Sequence, residues 1–582
     1  MKLSVIALDY DGTIAEGGQL NAAVRDAIAD ARTRGIAVLL VTGRILSELG
    51  QVAGDLHFVD GVVAENGGVL HFPDRDHTSL LAPPVSAAFL AEIRRRKIDV
   101  APGQSLVDFA AADAPRVLDA IRALELPLVL AFNKGRMMAL SQGVSKATGL
   151  HVALDALRLS ARNTVAVGDA ENDHALLRLA EVGAAVEWGS PALKAAADVT
   201  VPGTGPAAVA AYLRGLAQTG RLPVLQRARR RLRLGYTDDG REFSLAVLGR
   251  NVLIAGDAKS GKSWIAGLLC EQLILHGYSM CVIDPEGDYR SLEALPGVTV
   301  LGGEDPMPTP RELLKALRYP DRSVVLDLSH VGQDEKIEYV RSVLPAMNAM
   351  RRRTGLPHRI LLDEAHYFLR DSKVSHLLDL ETNGYTIVTY LASRLPQELL
   401  AATEVMLVTC ESNPAEVDEL YKRCEACEQA EAGRARWSVL GHMAVGQAVA
   451  LPLTAEAAGE LQMFRLGQRL TQHVRHRQKY VDVPVTESRA FYFGGNGTPP
   501  RRARTLRQFV EALEHASPGA LDGYLRHGDF SRWITQVFGD YALGEELREY
   551  EHRYRELLDT DVVPEIVGAI RARYDLTEDD TA

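Results

Sequence analysis

Short hydrophobic runs recur along the N-terminal third of the chain, and stretches with helical apolar spacing separate them. The runs SVIALDY, IAVLLVTG, TVAVGDA and GAAVEWG are rich in valine and other apolar residues, as buried strands are. Continuous apolar strands that alternate with helices are typical of a doubly wound, parallel sheet. We therefore predict an α/β domain with Rossmann-like topology over residues 1–215.

The same alternation begins again after a basic stretch, GRLPVLQRARRRLRLGYTDDGR, at residues 220–241. The runs NVLIAG, SMCVIDPEGD, SVVLDLS, RILLDEAH and YTIVTYLAS are strand candidates and predict a second α/β domain over residues 225–455. Later segments such as TLRQFVEALEHA have helical spacing, so we expect residues 456–582 to form a small, mainly helical module. We interpret the arginines of the basic stretch as a solvated connector rather than a nucleic-acid contact.

Composition and charge indicate a multidomain protein of the cytoplasm. A chain of 582 residues is too long for one core, and 47% hydrophobic with 24% charged residues is ordinary for globular domains. No apolar run could span a membrane, no secretory signal is evident, and five cysteines are too few for a disulfide framework. The lone CxxC of Cys424 and Cys427 lacks further ligands, so we do not expect zinc. A net charge of −11 argues against general nucleic-acid binding but leaves room for a local basic patch.

Two carboxylates follow the first predicted strand in the segment LDYDGT. Asp9 stands at the carboxyl end of the strand, where open α/β sheets bind ligands, and Asp11 can face the same phosphoryl group. One carboxylate can attack phosphorus to form an acyl-phosphate, while a second protonates the leaving oxygen and later activates water. These two residues are therefore candidate catalytic groups of a phosphatase.

Three further motifs follow in order along the same domain. The segment TGR supplies the hydroxyl of Thr42 and backbone donors at the same sheet edge, and GVSKATGL supplies Lys146. A lysine suits the negative charge that builds during phosphoryl transfer. The segment GDAENDH contains Asp169 and Asp173, and a carboxylate at a strand end could complete the oxygen shell of Mg²⁺ together with Asp9.

The order DxDGT, TGR, Lys and GDxxND strongly resembles the haloacid dehalogenase superfamily of Mg²⁺-dependent phosphatases, in particular its Cof-type branch. The resemblance implies that Asp9 is the nucleophile, that Asp11 is the general acid and base, and that Thr42 and Lys146 hold the transferring phosphoryl group. It also implies a Mg²⁺ site that Asn172 supports and whose ligand candidates are Asp9, Asp11, Asp169 and Asp173.

Members of this branch insert a cap between the second and third motifs, and residues 81–143 occupy that position here. Within it, residues 98–142 have the pattern of strands around one helix, which predicts a small α+β lid. Small caps of this kind resemble those of phosphoglycolate or sugar-phosphate phosphatases, so a small phosphorylated substrate is implied. Lys134 and Arg136 either reach a substrate anion or belong to a surface turn.

A glycine-rich loop, GDAKSGKS at residues 256–263, lies between a predicted strand and a helix and matches GxxxxGK[ST]. Such a loop wraps the phosphates of ATP with backbone N–H groups, while Lys262 reaches the β and γ oxygens and Ser263 ligates Mg²⁺. In RILLDEAH, Asp363 would hold the water shell of the metal and Glu364 would polarise an attacking water. The nucleotide-site candidates are thus Gly256, Asp257, Lys259, Ser260, Gly261, Lys262, Ser263, Asp363 and Glu364.

Together with CVIDPEGDY and ILLDEAHYF, this loop resembles the FtsK–HerA group of RecA-like ATPases over about residues 235–450. Proteins of that group often assemble as rings and move DNA, so the resemblance implies a homo-oligomer and a nucleic-acid partner. Two features depart from the pattern. The expected glutamine strand reads VTYLASRLPQ, with Ser393 and Arg394, and LLDLETNGYT lacks the arginine that ring members offer to a neighbour.

The motifs support more than one function. The first is a bifunctional enzyme that joins a phosphatase to an ATP-hydrolysing module, with two sites that act on different phosphates. The alternative is a nucleic-acid-associated translocase or defence protein whose phosphatase domain processes nucleotides or nucleic-acid ends. A third is a regulator whose P-loop only senses ATP. The basic segment HVRHRQKYVDVP at residues 473–484 is a candidate surface for an anionic partner.

Overall fold

A computed structural model describes most of the chain. It describes all residues except 134, 224, 226–229, 247–249, 370–373, 423–436, 452–460, 473–484, 486–488, 495–500, 539, 557–560, 575 and 577–582. The CxxC motif, Lys134 and the basic segment 473–484 lie outside the described residues, so their interpretations stay predictions. Within the described ranges, no helix is long and apolar enough to cross a bilayer.

The first sheet has eight strands around Val5–Leu8, which pairs in parallel with Thr164–Gly168 and Ala37–Val41. Alternate residues of Val5–Leu8 enter the two apolar layers that cover the sheet, so helices pack on both faces. This confirms the predicted Rossmann-like fold. In spatial order the strands are Val199–Val201, Val182–Val186, Thr164–Gly168, Val5–Leu8, Ala37–Val41, Gly61–Ala64, Val69–Phe72 and His77–Leu80. The helices are Ala22–Thr33, Leu46–Ala53, Lys146–Leu157, His174–Leu179, Pro191–Ala196 and Gly205–Thr219.

The segment between the second and third motifs forms a separate antiparallel sheet with two helices. Its strands in spatial order are Leu128–Asn133, Arg136–Ser141, Leu106–Ala110 and Val100–Pro102, and its helices are Ala87–Arg95 and Ala114–Ala123. The one α-helix expected within residues 98–142 is Ala114–Ala123, and Ala87–Arg95, which precedes that segment, adds a second helix that buries Phe89 and Ile93. Arg136 pairs with Asp108 of the adjacent strand, as a surface residue of this cap would.

The second α/β domain is built on an eleven-stranded sheet. Seven strands are parallel: Val405–Val408, Val252–Ala255, Tyr385–Thr389, Arg359–Leu362, Met280–Asp284, Ser323–Asp327 and Val298–Gly302. An antiparallel extension adds Gln447–Leu451, Gln462–Leu466, Leu232–Tyr236 and Glu242–Leu245. The longer helices are Lys262–Leu275, Pro310–Ala316, Gln333–Thr354 and Pro414–Lys422.

This extension changes two expectations about the ends of the domain. The strand Gln462–Leu466 lies beyond residue 455, where we placed the boundary. Part of the basic stretch is the strand Leu232–Tyr236, and Arg230 binds Glu181 at 3.2 Å. The reading of this stretch as a wholly solvated connector is therefore wrong, because a strand and a largely buried arginine belong to it.

The C-terminal part is mainly helical, as predicted. Its helices are Leu506–Glu514, Asp522–His527, Asp529–Trp533, Tyr541–Glu556 and Val563–Tyr574, with a two-stranded ribbon of Phe491–Phe493 and Arg501–Ala503. Its core is aromatic, and the four expected core residues are buried: Phe530, Trp533, Ile534 and Phe538.

The two α/β domains contact each other through the amino-terminal edges of their parallel strands. His358 Nε2 lies 3.0 Å from Asn163 Oδ1, and the Tyr278 hydroxyl donates to Glu181 at 2.7 Å. Each of these residues comes immediately or shortly before a parallel strand. The carboxyl edges of the two sheets therefore lie on opposite sides of this interface. Two strands of four to five residues placed end to end separate these edges by roughly 30 Å.

Candidate functional site

The first candidate site centres on Asp9, which follows the central strand Val5–Leu8 and is 4% exposed. Lys146 Nζ donates to Asp9 Oδ1 and to Asp173 Oδ1, each at 2.6 Å, and the Thr13 hydroxyl donates to Asp9 Oδ2 at 3.1 Å. Lys146 is the first residue of its helix, where Ser145 and Thr148 form a capping box. This capping box fixes the start of the helix and thereby places Lys146 between two carboxylates.

Three buried carboxylates converge at this point. Oxygens of Asp9, Asp169 and Asp173 all lie within 4.8 Å of one another. Burial and the charge of Asp173 raise the pKa of Asp9 above its ordinary value. Burial disfavours the charged form of Lys146, but Asp173 and Asp9 outweigh it and raise the lysine pKa. Carboxylate oxygens are the ligands that Mg²⁺ prefers, and a divalent cation would offset their mutual repulsion, so the residues fit this metal.

The backbone around Asp169 is organised by Asp173. Asp173 Oδ2 accepts hydrogen bonds from the backbone N–H groups of Asp169 and Ala170, both at 3.0 Å. Gly168 is required here, because a Cβ atom would lie 2.6 Å from the Asp173 carboxyl carbon. The spacing in GDAENDH therefore lets the Asp173 carboxylate hold the loop that carries the Asp169 carboxylate.

Asp11 lies outside this cluster of three. Its carboxylate accepts two hydrogen bonds from Arg44, Nε to Oδ2 and Nη2 to Oδ1, both at 2.6 Å. The structure thus departs from the expected metal set, because a bidentate guanidinium holds the Asp11 side chain. Thr42 is buried after the strand Ala37–Val41, and its hydroxyl accepts from the Arg44 N–H at 3.1 Å. Sequence reasoning named the Thr42 hydroxyl and the backbone donors of this motif and missed the guanidinium of Arg44.

A buried glutamate that sequence reasoning missed connects the first domain to the cap. Glu65 is fully buried, and its carboxylate accepts from the backbone N–H groups of Gln104 and Ser105 at 3.0 and 2.7 Å. It also accepts from the Ser105 hydroxyl at 2.9 Å. Glu65 has a φ of 52°, a left-handed conformation that is uncommon for this residue type. The available signal was its position in the segment AENGG, between two apolar runs that form the strands Gly61–Ala64 and Val69–Phe72.

The cap closes over the first site through apolar contacts. Ile45, which follows Arg44, packs with Leu106, Met138 and Leu140 of the cap. The cap strand Leu128–Asn133 lies beside the turn that ends at Asp173. These contacts attach the cap to the first domain next to the site.

The second candidate site is the glycine-rich loop after the strand Val252–Ala255. Gly256, Lys259 and Gly261 have φ angles of 144°, 60° and 106°, so the loop curls back on itself. Lys262 begins the following helix, and its Nζ donates to the Asp257 carbonyl at 2.7 Å. The Ser260 hydroxyl donates to the same carbonyl, also at 2.7 Å. A loop of this curvature, opening a helix at its N-terminus, fits a polyphosphate.

The candidate metal and water ligands of this site follow one strand of the same sheet, which Tyr385–Thr389 separates from Val252–Ala255. Asp363 and Glu364 follow the strand Arg359–Leu362, and both side chains are buried. Glu364 has a φ of 45°, and its N–H donates to Asp363 Oδ1 at 3.0 Å. A strained residue at a sheet edge is a feature of functional sites.

The loop DPEGD contributes a residue that sequence reasoning did not assign. The Ser263 hydroxyl donates to Asp288 Oδ2 at 2.8 Å. Asp284 organises this loop, because its carboxylate accepts from four backbone N–H groups, those of residues 286–289. Asp288 is therefore held against the P-loop serine, where a metal ion bound to nucleotide would lie.

The departures from the FtsK–HerA pattern occupy ordinary structural positions. Ser393 lies in a short turn after the strand Tyr385–Thr389, and its N–H donates to Glu416 at 2.8 Å. Burial lowers the pKa of His366, and the negative charge of Glu364 opposes this effect. The positive charge of Arg394 lowers the same pKa further. Arg394 thus lies near the Asp363–Glu364 edge of the sheet.

Comparison with known proteins agrees with these two sites. Residues 6–95 and 107–213 match the model of haloacid dehalogenase-like hydrolases. The same part of the chain is 33% identical to a phosphoglycolate phosphatase of Halorubrum lacusprofundi over 210 residues, which is 34% of this chain and 89% of that protein. The N-terminal domain belongs to the haloacid dehalogenase-like hydrolases. A phosphoglycolate phosphatase of Methanothermobacter thermautotrophicus is 28% identical over 206 residues, 34% of this chain and 90% of that protein.

The haloacid dehalogenase-like domain is followed by a second matched domain. Residues 237–354 match the central domain of helicase HerA, a span that includes the glycine-rich loop and DPEGD. The chain is therefore a fusion of a haloacid dehalogenase-like hydrolase with a HerA-type ATPase domain. A solved haloacid dehalogenase-like hydrolase from Bacteroides thetaiotaomicron aligns with 37% of this chain and 100% of its own, at 16% identity and a TM-score of 0.34.

Proposed function

We propose that the protein is a bifunctional enzyme, a Mg²⁺-dependent phosphomonoesterase joined to an ATP-hydrolysing module. The observation that carries the first half is the buried group of Asp9, Asp169, Asp173 and Lys146 at one sheet edge. The second half rests on the glycine-rich loop of residues 256–263, together with Asp363 and Glu364, which follow another strand of the same sheet.

In the phosphatase reaction Asp9 attacks the phosphorus of a monoester, and the ester oxygen leaves with a proton from Asp11. Water, activated by Asp11, then cleaves the aspartyl-phosphate and releases phosphate with Asp9 restored. We infer that Lys146 and Thr42 bind the oxygens of the transferring phosphoryl group, which is supported by the contact of Lys146 with Asp9. Mg²⁺ bound by Asp9, Asp169 and Asp173 would neutralise charge on the phosphoryl group. Arg44 orients Asp11 through two hydrogen bonds.

The substrate we propose is a small phosphorylated metabolite such as phosphoglycolate or a sugar phosphate. The similar archaeal proteins are phosphoglycolate phosphatases. The cap, which contacts the first domain through Ile45, Leu106 and Met138, is the part of the chain that we expect to select the leaving group.

In the second domain, the backbone of Gly256–Ser263 and the amine of Lys262 would bind the phosphates of ATP. We infer that Ser263 and Asp288, which share a hydrogen bond, bind its Mg²⁺. Asp363 would hold the water shell of the metal, and Glu364 would polarise the attacking water. The two sites lie at sheet edges that face away from each other, and each has its own lysine and acids. We therefore propose that they act independently, one on an ester and one on an anhydride.

The test uses the full-length protein. Phosphate release is measured from phosphoglycolate, sugar phosphates and nucleotides, with Mg²⁺ or EDTA. We expect turnover of at least one small monoester that EDTA abolishes. Asp9→Asn should abolish this turnover and spare ATP hydrolysis, whereas Asp26→Asn, the same change on an exposed helix, should leave both. Undiminished ester hydrolysis by Asp9→Asn contradicts the phosphatase assignment. Loss of both activities in folded Asp9→Asn contradicts the independence of the sites.

A second candidate function is supported by the match to the central domain of a helicase. Here the ATPase would act on nucleic acid, as part of a homo-oligomer, and the phosphatase would process nucleotides or nucleic-acid ends. Stimulation of ATP hydrolysis by DNA separates the two proposals. A rate that is independent of DNA favours the metabolite phosphatase.

A further inference from the structure

The proposed chemistry assigns no role to His366, a buried histidine at the second site. It is 3% exposed, and its ring packs against Tyr367 and Tyr390, whose ring centroids lie 4.4 and 4.6 Å from its own. The Tyr390 centroid lies 5.9 Å from Lys262 Nζ, the amine proposed to reach the terminal phosphates of ATP. A single aromatic ring therefore connects His366 to the P-loop lysine.

The imidazole of His366 contacts both Glu364 and the strand beside the P-loop. Its Nδ1 lies 3.0 Å from Thr389 Oγ1 and 3.7 Å from Glu364 Oε2. Thr389 ends the strand Tyr385–Thr389 and is in register with Ala255, the residue that precedes the glycine-rich loop. The ring therefore joins the glutamate that we expect to polarise water to the strand residue next to the start of the P-loop.

The groups around Nδ1 determine where the ring proton lies. Burial lowers the pKa of His366 to about 4, so the ring is neutral at pH 7. The Glu364 carboxylate only accepts hydrogen bonds, and the Thr389 hydroxyl can accept one from Nδ1 in addition to that from the Leu391 N–H at 3.0 Å. The proton is therefore favoured on Nδ1, where the positive edge of the ring lies next to the Glu364 carboxylate.

Packing alone does not explain a histidine at this position. Its Nε2 is buried and has no hydrogen-bond partner among the described residues. A buried nitrogen without a partner costs free energy, which a phenyl ring in the same place would avoid. Glu364 also has a left-handed backbone, with a φ of 45°, and such a conformation persists only where the surrounding contacts determine it. These features indicate a functional role for the contact between the two residues.

We propose that His366 is a positioning residue of the ATPase site, which orients the Glu364 carboxylate for the attack of water on ATP. Its contact with Thr389 fixes the ring against the strand beside the P-loop, and its contact with Glu364 holds the carboxylate in one direction. The inference rests on the proposed hydrolysis of ATP at this site and adds to it a residue that acts through Glu364.

The experiment measures kcat and KM for phosphate release from ATP, and ADP affinity by calorimetry, with the full-length protein and Mg²⁺. His366→Ala should lower kcat by about tenfold or more, which is part of the roughly 10²–10⁴-fold that a positioned base contributes, and should leave ADP affinity within about twofold. His366→Asn keeps an amide in the place of Nδ1 and should recover most of kcat. His366→Gln places its amide near Nε2 instead and should not. His358→Ala removes another buried histidine, at the amino edge of the same sheet, and should leave kcat unchanged.

A double variant separates positioning from a general loss of structure. Glu364→Gln already removes the carboxylate that His366 would orient, so adding His366→Ala should not lower the residual rate further. Damage to the fold of the site would instead lower the rate in both backgrounds. The residual rates are measured with radiolabelled ATP, because Glu364→Gln is expected to be slow.

The outcomes separate this inference from the proposed function on which it rests. An unchanged kcat in His366→Ala, or recovery by His366→Gln rather than by His366→Asn, overturns the positioning role. A loss in the Glu364→Gln background as large as in the wild type also overturns it, because His366 would then act independently of Glu364. If the wild type does not hydrolyse ATP, or if Glu364→Gln hydrolyses it normally, the proposed function of this site fails and the inference fails with it.

Discussion

Acid should weaken the contact between the two α/β domains through a single buried histidine. His358 is 4% exposed, and its Nδ1 accepts a hydrogen bond from the Ser279 N–H at 2.8 Å. Asn163 donates its amide to the Lys2 carbonyl at 2.9 Å, so its Oδ1 is an acceptor and His358 Nε2 must donate to it. Both ring nitrogens are thus satisfied only in the neutral form. A proton on Nδ1 would face the Ser279 N–H.

The size of the effect follows from the shift in the histidine pKa. Burial, with Arg162 and Arg351, lowers the pKa of His358 from 6.5 to about 3. Because the folded pKa lies below that of the exposed histidine, the open state binds the proton more strongly. The stabilisation is complete above pH 6.5 and is lost as the pH falls toward 3. Linkage gives a loss of about 1.4 kcal/mol at pH 5.5 and about 2.7 kcal/mol at pH 4.5.

The assay is amide hydrogen exchange at Ser279, read by mass spectrometry at pH 7.5 and 5.5 and corrected for intrinsic rates. About 1.4 kcal/mol corresponds to roughly tenfold lower protection at the lower pH. In His358→Asn, the side-chain oxygen can take the place of Nδ1 as acceptor without titrating, so its corrected protection should not change with pH. A wild-type protection factor that is the same at both pH values would refute the reasoning, as would an equal decline in His358→Asn.

Three further predictions concern the proposed sites. Lys262→Ala should lose ADP binding in calorimetry, whereas Glu364→Gln should bind ADP but no longer release phosphate from ATP; normal hydrolysis by both variants would rule out the P-loop assignment. Asp288→Asn keeps an acceptor for Ser263 but removes a negative charge. The Mg²⁺ concentration for half-maximal ATP hydrolysis should therefore rise several-fold, and an unchanged concentration would exclude a role of Asp288 near the metal. Glu65→Gln removes charge-assisted hydrogen bonds to the cap and should lower the free energy of unfolding of the first domain by about 1–3 kcal/mol. The KM for the phosphate ester should rise more than kcat falls. An unaltered melting temperature and KM would show that the position of the cap does not depend on Glu65.

Much of each site could be predicted because its chemistry is encoded over a few neighbouring residues. A strand followed by DxDGT places Asp9 at the carboxyl edge of the sheet, because the neighbouring residues alone determine where the strand ends and the turn begins. The same holds for Gly256–Ser263, where glycines and a helix start shape the loop, and for Asp363 at the end of an apolar run.

The remaining contacts depend on which distant segments become neighbours, and no local pattern reports that. Arg44 binds Asp11 from another strand, Glu65 binds the cap 39 and 40 residues away, and Asp288 binds a serine 25 residues earlier. The helix Ala87–Arg95 and the strand Leu232–Tyr236 were missed for a related reason, since each is stabilised by the surface on which it packs. Sequence periodicity determined the parallel strands of the two sheets, because apolar burial is repeated at each of these strands. Only the tertiary structure decided that their amino-terminal edges meet and their sites face apart, because that arrangement rests on single long-range contacts such as His358 with Asn163.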